Sequence, residues 1–130
     1  MNVRSFTIGD NVFNATMASA VKQDELLGLL SAKIFLGFEV ASRKGETLGE
    51  KEIMVMLMTL PSDVKSKIAS ILTEKVFLSG TQIPVSVKDF QGKMVDWNKL
   101  LAQLLQWNLS DFFDFTFAEV NQNNPQAPQA

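Results

Sequence analysis

The sequence predicts an α+β fold that is mainly α-helical: a short N-terminal β-hairpin packed on a bundle of about five helices, with a disordered C-terminal tail. Three observations predict it. Residues 3–17 form two extended runs around Gly9-Asp10-Asn11, which is turn chemistry. Most of residues 20–120 carries apolar side chains at helical spacing. Asn121–Ala130 holds only Asn, Gln, Pro and Ala, and it cannot bury enough apolar area to offset the entropy of ordering. The organisation read from this is one globular domain over 1–120 and a polar tail over 121–130.

In the first element, Val3, Ser5 and Thr7 alternate with Arg4, Phe6 and Ile8, and Val12–Met17 resumes the extended pattern. Phe6, Ile8, Val12 and Phe13 are expected to supply its packing face. An isolated hairpin is marginal in water, so it must lie on helices or on another chain.

Ser19 or Thr16 suits the cap of the next helix, and Asp24 and Glu25 follow in its early turns. This helix is predicted to run to about Glu39. Measured from Leu26, Phe35 falls at about 180° and Leu36 at about 280°, so the second half is apolar nearly all round. Such a helix is buried centrally or lies at an interface. Ala41–Gly49 reads as a flexible loop with two glycines and three charges.

Glu50–Leu60 contains the run Ile53-Met54-Val55-Met56-Leu57-Met58, where periodicity alone does not separate strand from helix. Its length, its methionines and the Glu50-Lys51-Glu52 start favour a helix. Met54, Met56 and Met58 point in three directions. They serve either as core filler or as an adaptable contact surface, because flexible thioethers repack against different partners.

Leu60-Pro61 ends that element, and Ser62 or Asp63 starts an amphipathic helix ending near Phe77. Val64, Ile68, Ile71 and Leu72 form its apolar stripe, opposite Lys65, Ser66, Ser70 and Thr73. Gln82–Val87 looks extended, and Pro84 restricts it to a sheet edge or a free segment. Asp96 is expected to cap a helix over Trp97–Trp107 whose wet side carries Asn98, Lys99, Gln103 and Gln106. Asn108 suits a left-handed stop, and Ser110 suits the cap of a last, phenylalanine-rich helix.

That last helix holds four of the ten phenylalanines. With Phe112 at 0°, Phe113, Phe115 and Phe117 lie at about 100°, 300° and 140°. Phe112, Phe113 and Phe117 share a side with Leu109 and Val120 and suit a core. Phe115 is the outlier and is assigned to an intermolecular contact. Trp97 and Trp107 suit either core anchors or interface anchors.

Composition excludes much chemistry. The chain has 130 residues and no Cys, His or Tyr, so thiol catalysis, Ser-His-Asp triads and His-based metal sites cannot be built within it. It is therefore expected not to be an enzyme and to need no cofactor or metal. No glycine-rich loop has phosphate-cradling spacing. Formal net charge is −2, and residues 89–120 carry Asp89, Asp96, Asp111, Asp114 and Glu119 against Lys93 and Lys99, so no nucleic-acid partner is expected. Asp111 and Asp114 read as a solvated acidic strip at a helix N-terminus. The longest apolar run, residues 53–58, is far short of the ~20 residues of a membrane span, and no signal peptide is expected.

The order of the parts resembles the tail assembly chaperones of lambda-like long-tailed bacteriophages. The resemblance rests on the β opening Phe6-Thr7-Ile8-Gly9-Asp10-Asn11-Val12-Phe13, then the leucine-rich Gln23-Asp24-Glu25-Leu26-Leu27-Gly28-Leu29-Leu30. It continues in Asp96-Trp97-Asn98-Lys99-Leu100-Leu101 and Trp107-Asn108-Leu109-Ser110-Asp111-Phe112-Phe113, ahead of the polar tail. It spans most of 1–120 in order.

The resemblance implies a non-enzymatic protein of virion morphogenesis that acts in the host cytoplasm and is absent from the mature virion. Its partner would be the tape measure protein, and it would self-associate during assembly. A longer form made by ribosomal frameshifting would recruit the tail tube protein through a C-terminal extension. The alternative is a small dimeric phage or bacterial adaptor that captures one partner helix. For partner binding or self-association the candidate residues are Phe115, Phe112, Trp107, Met54, Met56, Met58, Phe35 and Leu36.

Overall fold

Gly9, at φ 60°, and Asp10 make a two-residue turn between strands β1 (Val3–Ile8) and β2 (Asn11–Thr16) in the computed structural model, which describes residues 3–30 and 49–114. Glycine at the first central position gives a turn whose twist matches that of the strands. The register sets Ile8 opposite Asn11, Thr7 opposite Val12 and Phe6 opposite Phe13. Asn11 therefore belongs to the strand rather than to the turn. Because side chains alternate, Val12 falls on the face away from Phe13. This corrects the packing face expected from the sequence: Val12 is 37% exposed, whereas Phe6, Ile8, Phe13 and Ala15 are buried.

A third strand, β3 (Val76–Leu78), pairs antiparallel with β2 and completes a sheet of order β1-β2-β3. The apolar spacing predicts a helix through these residues to about Phe77, but the helix stops at Thr73. Val-Phe-Leu has strong strand propensity, and pairing Val76 with Ala15 and Leu78 with Phe13 overrides the helical spacing. Beyond β3, Leu78 N–H donates to the Ile83 carbonyl (3.3 Å) and Val85 N–H to the Val76 carbonyl (3.0 Å). Pro84, which has no N–H, sits between them as a bridge to Phe77, where no donor is required.

Residues 20–30 are helical (α1), and Ser19 Oγ accepts the Lys22 N–H (3.3 Å) as the N-cap. The predicted continuation of this helix and the Ala41–Gly49 loop lie, apart from Gly49, outside the described residues. So do Phe115, Phe117 and the tail over 121–130.

The methionine run is helical, α2 (Glu50–Met58), with Gly49 at the N-cap donating its N–H to the Glu52 carboxylate (3.0 Å). Pro61 disfavours α geometry at Leu60, so the helix ends. Pro61 itself, at φ −56°, is the N-cap of α3 (Ser62–Thr73), one position ahead of the expected Ser62 or Asp63.

A 3-10 turn over Val87–Phe90 was not foreseen in the sequence. Ser86 Oγ accepts the Lys88 N–H (3.3 Å) and Asp89 Oδ2 accepts the Ser86 N–H (3.0 Å). Helix α4 (Met94–Asn108) starts three residues earlier than expected, with Lys93 at its N-cap, so Asp96 is a first-turn residue rather than the cap. Residues 110–114 form the described part of α5, whose Phe113 N–H donates to the Leu109 carbonyl (3.0 Å).

Helix α4 is the centre of the core. Trp97, Leu100, Leu101, Leu104 and Leu105 are buried against the sheet, α2 and α3. A line of rings ties sheet to helix: Phe13 to Phe90 (centroids 5.9 Å) and Phe90 to Trp97 (5.3 Å). Leu26 and Leu30 of α1, Ile53 and Leu57 of α2, and Ile68, Ile71 and Leu72 of α3 join the same cluster.

Two buried asparagines on α4 correct the sequence reading. Asn98, assigned to the wet side, is 3% exposed; its amide donates to the Met94 carbonyl (2.8 Å), and its Oδ1 accepts from Lys65 Nζ (2.6 Å). Asn108 does not take a left-handed conformation, since positive φ among the described residues occurs only at glycines. It is buried instead. Its Nδ2 donates to the Leu104 carbonyl (2.8 Å), and its Oδ1 accepts the Ala18 N–H (2.7 Å). Its own carbonyl accepts from Gln23 Nε2 (3.0 Å). One side chain thus fixes the entry to α1 against the end of α4.

Candidate functional site

Three surface features have the chemistry of a contact site. The first lies on α2, whose Ile53 and Leu57 are buried while Met54 and Met56 are half-buried against the core. The opposite side presents Val55, 53% exposed, and Met58, 44% exposed. These two stand at i and i+3 and so are neighbours on one face of the helix. The expected divergence of the three methionines is present: two support the core and one faces solvent.

The second is a groove of about 500 Å³ between β1 and the ends of α2 and α4. Arg4, Ser5 and Thr7 form one wall, Glu50 and Gln103 the other, and Trp107 lies along it. Trp107 is half-buried and meets Phe6 edge-on, with ring centroids 5.5 Å apart. It is therefore both a core prop and a groove wall. The Arg4 guanidinium stands 5.5 Å from the Phe6 ring centre.

The third is a recess of about 490 Å³ at the β1–β2 turn, floored by Ile8, Phe13 and Phe90 and rimmed by Asp10, Asp96 and Lys93.

Among the sequence-assigned residues, Phe112 is half-buried on the core and meets the buried Phe113 edge-on at 5.7 Å. Asp111 and Asp114 are both exposed. Phe35, Leu36 and Phe115 lie outside the described residues. The groove brings Trp107 beside residues that sequence reasoning did not single out, namely Arg4, Ser5, Thr7 and Glu50. The available signal was the run of exposed β-formers Val3, Ser5 and Thr7 in a strand without Pro or Lys.

One titration stands out. Partial burial of the Lys65 ammonium, which reaches Asn98 Oδ1, pushes its pKa below the ordinary lysine value. Among the described residues, no group of three or more acidic side chains is placed to hold a metal ion. No helix among them is long and apolar enough to cross a membrane. No protein-family model, curated protein or solved structure matches the chain.

Proposed function

We propose that this protein is an assembly chaperone of the phage-tail type, one that binds the tape measure protein through apolar contacts and self-associates along it. In this reading it is not an enzyme and works in the host cytoplasm without entering the finished virion. A longer frameshifted form would carry a C-terminal extension to the tail tube protein.

The observation that carries the reading is the outward face of α2. Val55 and Met58 stand exposed over a helix whose other methionines prop the core. A long helical client presents apolar ridges of varying shape, and a thioether on a firm helix adapts to them. The resemblance in the order of the parts supports the same client.

The test is co-expression with a tape measure protein of a long-tailed phage. The chain should raise the soluble fraction of that protein. Val55→Glu with Met58→Glu should remove the effect while leaving the melting temperature within about 4 °C, since each exposed substitution changes stability by about 0.5 kcal/mol or less. A soluble fraction that does not respond to the chain refutes the client assignment. A constant dimer with no such effect points to the adaptor reading.

A further inference from the structure

The two edges of the sheet are treated differently. The β3 edge is short and is closed by Ile83–Val85, with Pro84 bridging Phe77. The β1 edge is six residues long, without bulge or proline. Ile8 and Asn11 flank a two-residue turn and form a hydrogen-bonded pair, so the bonded positions of β1 toward β2 are Ile8, Phe6 and Arg4. Val3, Ser5 and Thr7 therefore turn their N–H and C=O groups outward. Among the described residues none of these groups has a hydrogen-bond partner. Such an edge is a template for another strand.

We propose that a second copy of this chain occupies that edge, β1 pairing antiparallel with β1 of its partner about a two-fold axis at Ser5. This gives a location to the self-association in the proposed function, and it rests on that reading.

The register follows from the pattern of outward groups. Centred on Ser5, the pairing sets Ser5 opposite Ser5 and Val3 opposite Thr7, and all three outward residues of each copy bond, about six hydrogen bonds in total. Centred on Arg4, it would set like charges face to face and lose bonds. Centred on Phe6, it would leave Val3 unpaired.

The two-fold axis is perpendicular to the sheet, so both helical layers stay on one side. The second copy's exposed Arg4, which this register sets opposite Phe6, then reaches the groove beneath the edge. That groove carries Glu50, which makes no ion pair with Arg4 of its own chain. Glu50 thus offers an opposite charge to the incoming Arg4. Val3 and Thr7, both β-branched, meet on the exposed face, a favourable cross-strand pair.

The test combines sedimentation and cross-linking of the full chain. The wild type should pass from monomer to dimer with rising concentration. Ser5→Pro removes an outward N–H, together with the exposed hydroxyl bond to Asn14 Oδ1 (2.8 Å), and should weaken the dimer at least tenfold, an order-of-magnitude expectation, with an unchanged circular dichroism spectrum. If Ser5→Pro lowers the melting temperature, Val3→Lys with Thr7→Lys carries the test instead. Both side chains are exposed, and each lysine would face another across the axis.

In a chain without cysteine, Ser5→Cys sets two thiols on opposed residues at a Cα separation of about 5.5 Å, within disulfide range. Mild oxidation should give a covalent dimer for Ser5→Cys and not for Val3→Cys. A wild type that stays monomeric overturns the inference, as does a dimer indifferent to the edge variants or equal cross-linking of both cysteine variants. A monomer that pairs only with another protein's strand overturns it too. Failure here is separable from failure of the chaperone reading, because a monomeric Ser5→Pro chain that still keeps the tape measure protein soluble leaves that reading standing.

Discussion

Replacing Asn108 by Ala should destabilise the protein by about 2–3 kcal/mol, far more than its amphipathic position suggests. The side chain makes two short hydrogen bonds inside the core, to the Leu104 carbonyl (2.8 Å) and from the Ala18 N–H (2.7 Å). Losing a neutral hydrogen bond costs about 1 kcal/mol, and leaving the partly buried Ala18 N–H without an acceptor adds about 1–2 kcal/mol. The Leu104 carbonyl keeps its helical bonding, so its loss is the smaller share.

A chain of this length has an unfolding entropy near 0.27 kcal/mol/K at about 2.1 cal/mol/K per residue, so the melting temperature should fall by about 7–11 °C. The assay is urea unfolding alongside a thermal scan, with the m-value checked for constancy so that the difference reports stability alone. Gln23→Ala removes only the bond to the Asn108 carbonyl and should cost about 0.5–1.5 kcal/mol. If Asn108→Ala costs less than 0.5 kcal/mol, roughly the level of a surface change, the clasp between Ala18 and α4 does not hold the fold as described.

The register makes a sharp contrast on β2: Phe13→Ala should cost about 3–5 kcal/mol, whereas Val12→Thr on the opposite face should change stability by about 0.5 kcal/mol or less, both read from urea midpoints. Gly9→Ala forces an L-residue to φ 60° with its Cβ 3.5 Å from Asp96 Oδ2, and a loss of about 1–2 kcal/mol is expected; an unchanged midpoint would contradict the turn geometry. Lys65 binds its proton less tightly when folded than when unfolded, so the unfolded state holds more protons just below the ordinary value of 10.5. Its desolvation penalty is present at neutral pH and is relieved as pH rises through the lowered folded pKa. Stability should therefore rise with pH in that alkaline window relative to Lys65→Met, and parallel pH profiles for the two proteins would exclude the effect.

The class of fold was legible because hydrophobic period and turn chemistry are local. Ser19 as cap, the helical choice for the methionine run and Pro84 at a sheet edge all follow from neighbours in sequence. What escaped was set by distant partners. Val76–Leu78 reads as the end of a helix until β2 offers it a strand to pair with. Asn98 reads as solvated until Lys65, 33 residues away, reaches it, and Asn108 reads as a stop until Ala18, 90 residues away, donates to it. The β1 groove escaped for the same reason: Arg4, Glu50 and Trp107 come from three elements and share no motif.

The clasp between Asn108 and Ala18 also sets an order of events during synthesis. The strands of the hairpin leave the ribosome early, but the helix that covers their apolar face and the amide that pins their exit are encoded some 90 residues later. At about 5–20 residues per second, Phe6 and Phe13 wait roughly 5–18 s for that cover. Throughout that interval the hairpin is both uncovered on one face and open along β1. If β1 pairs with β1 as proposed, neighbouring nascent chains on one messenger would meet as strands before either has finished folding.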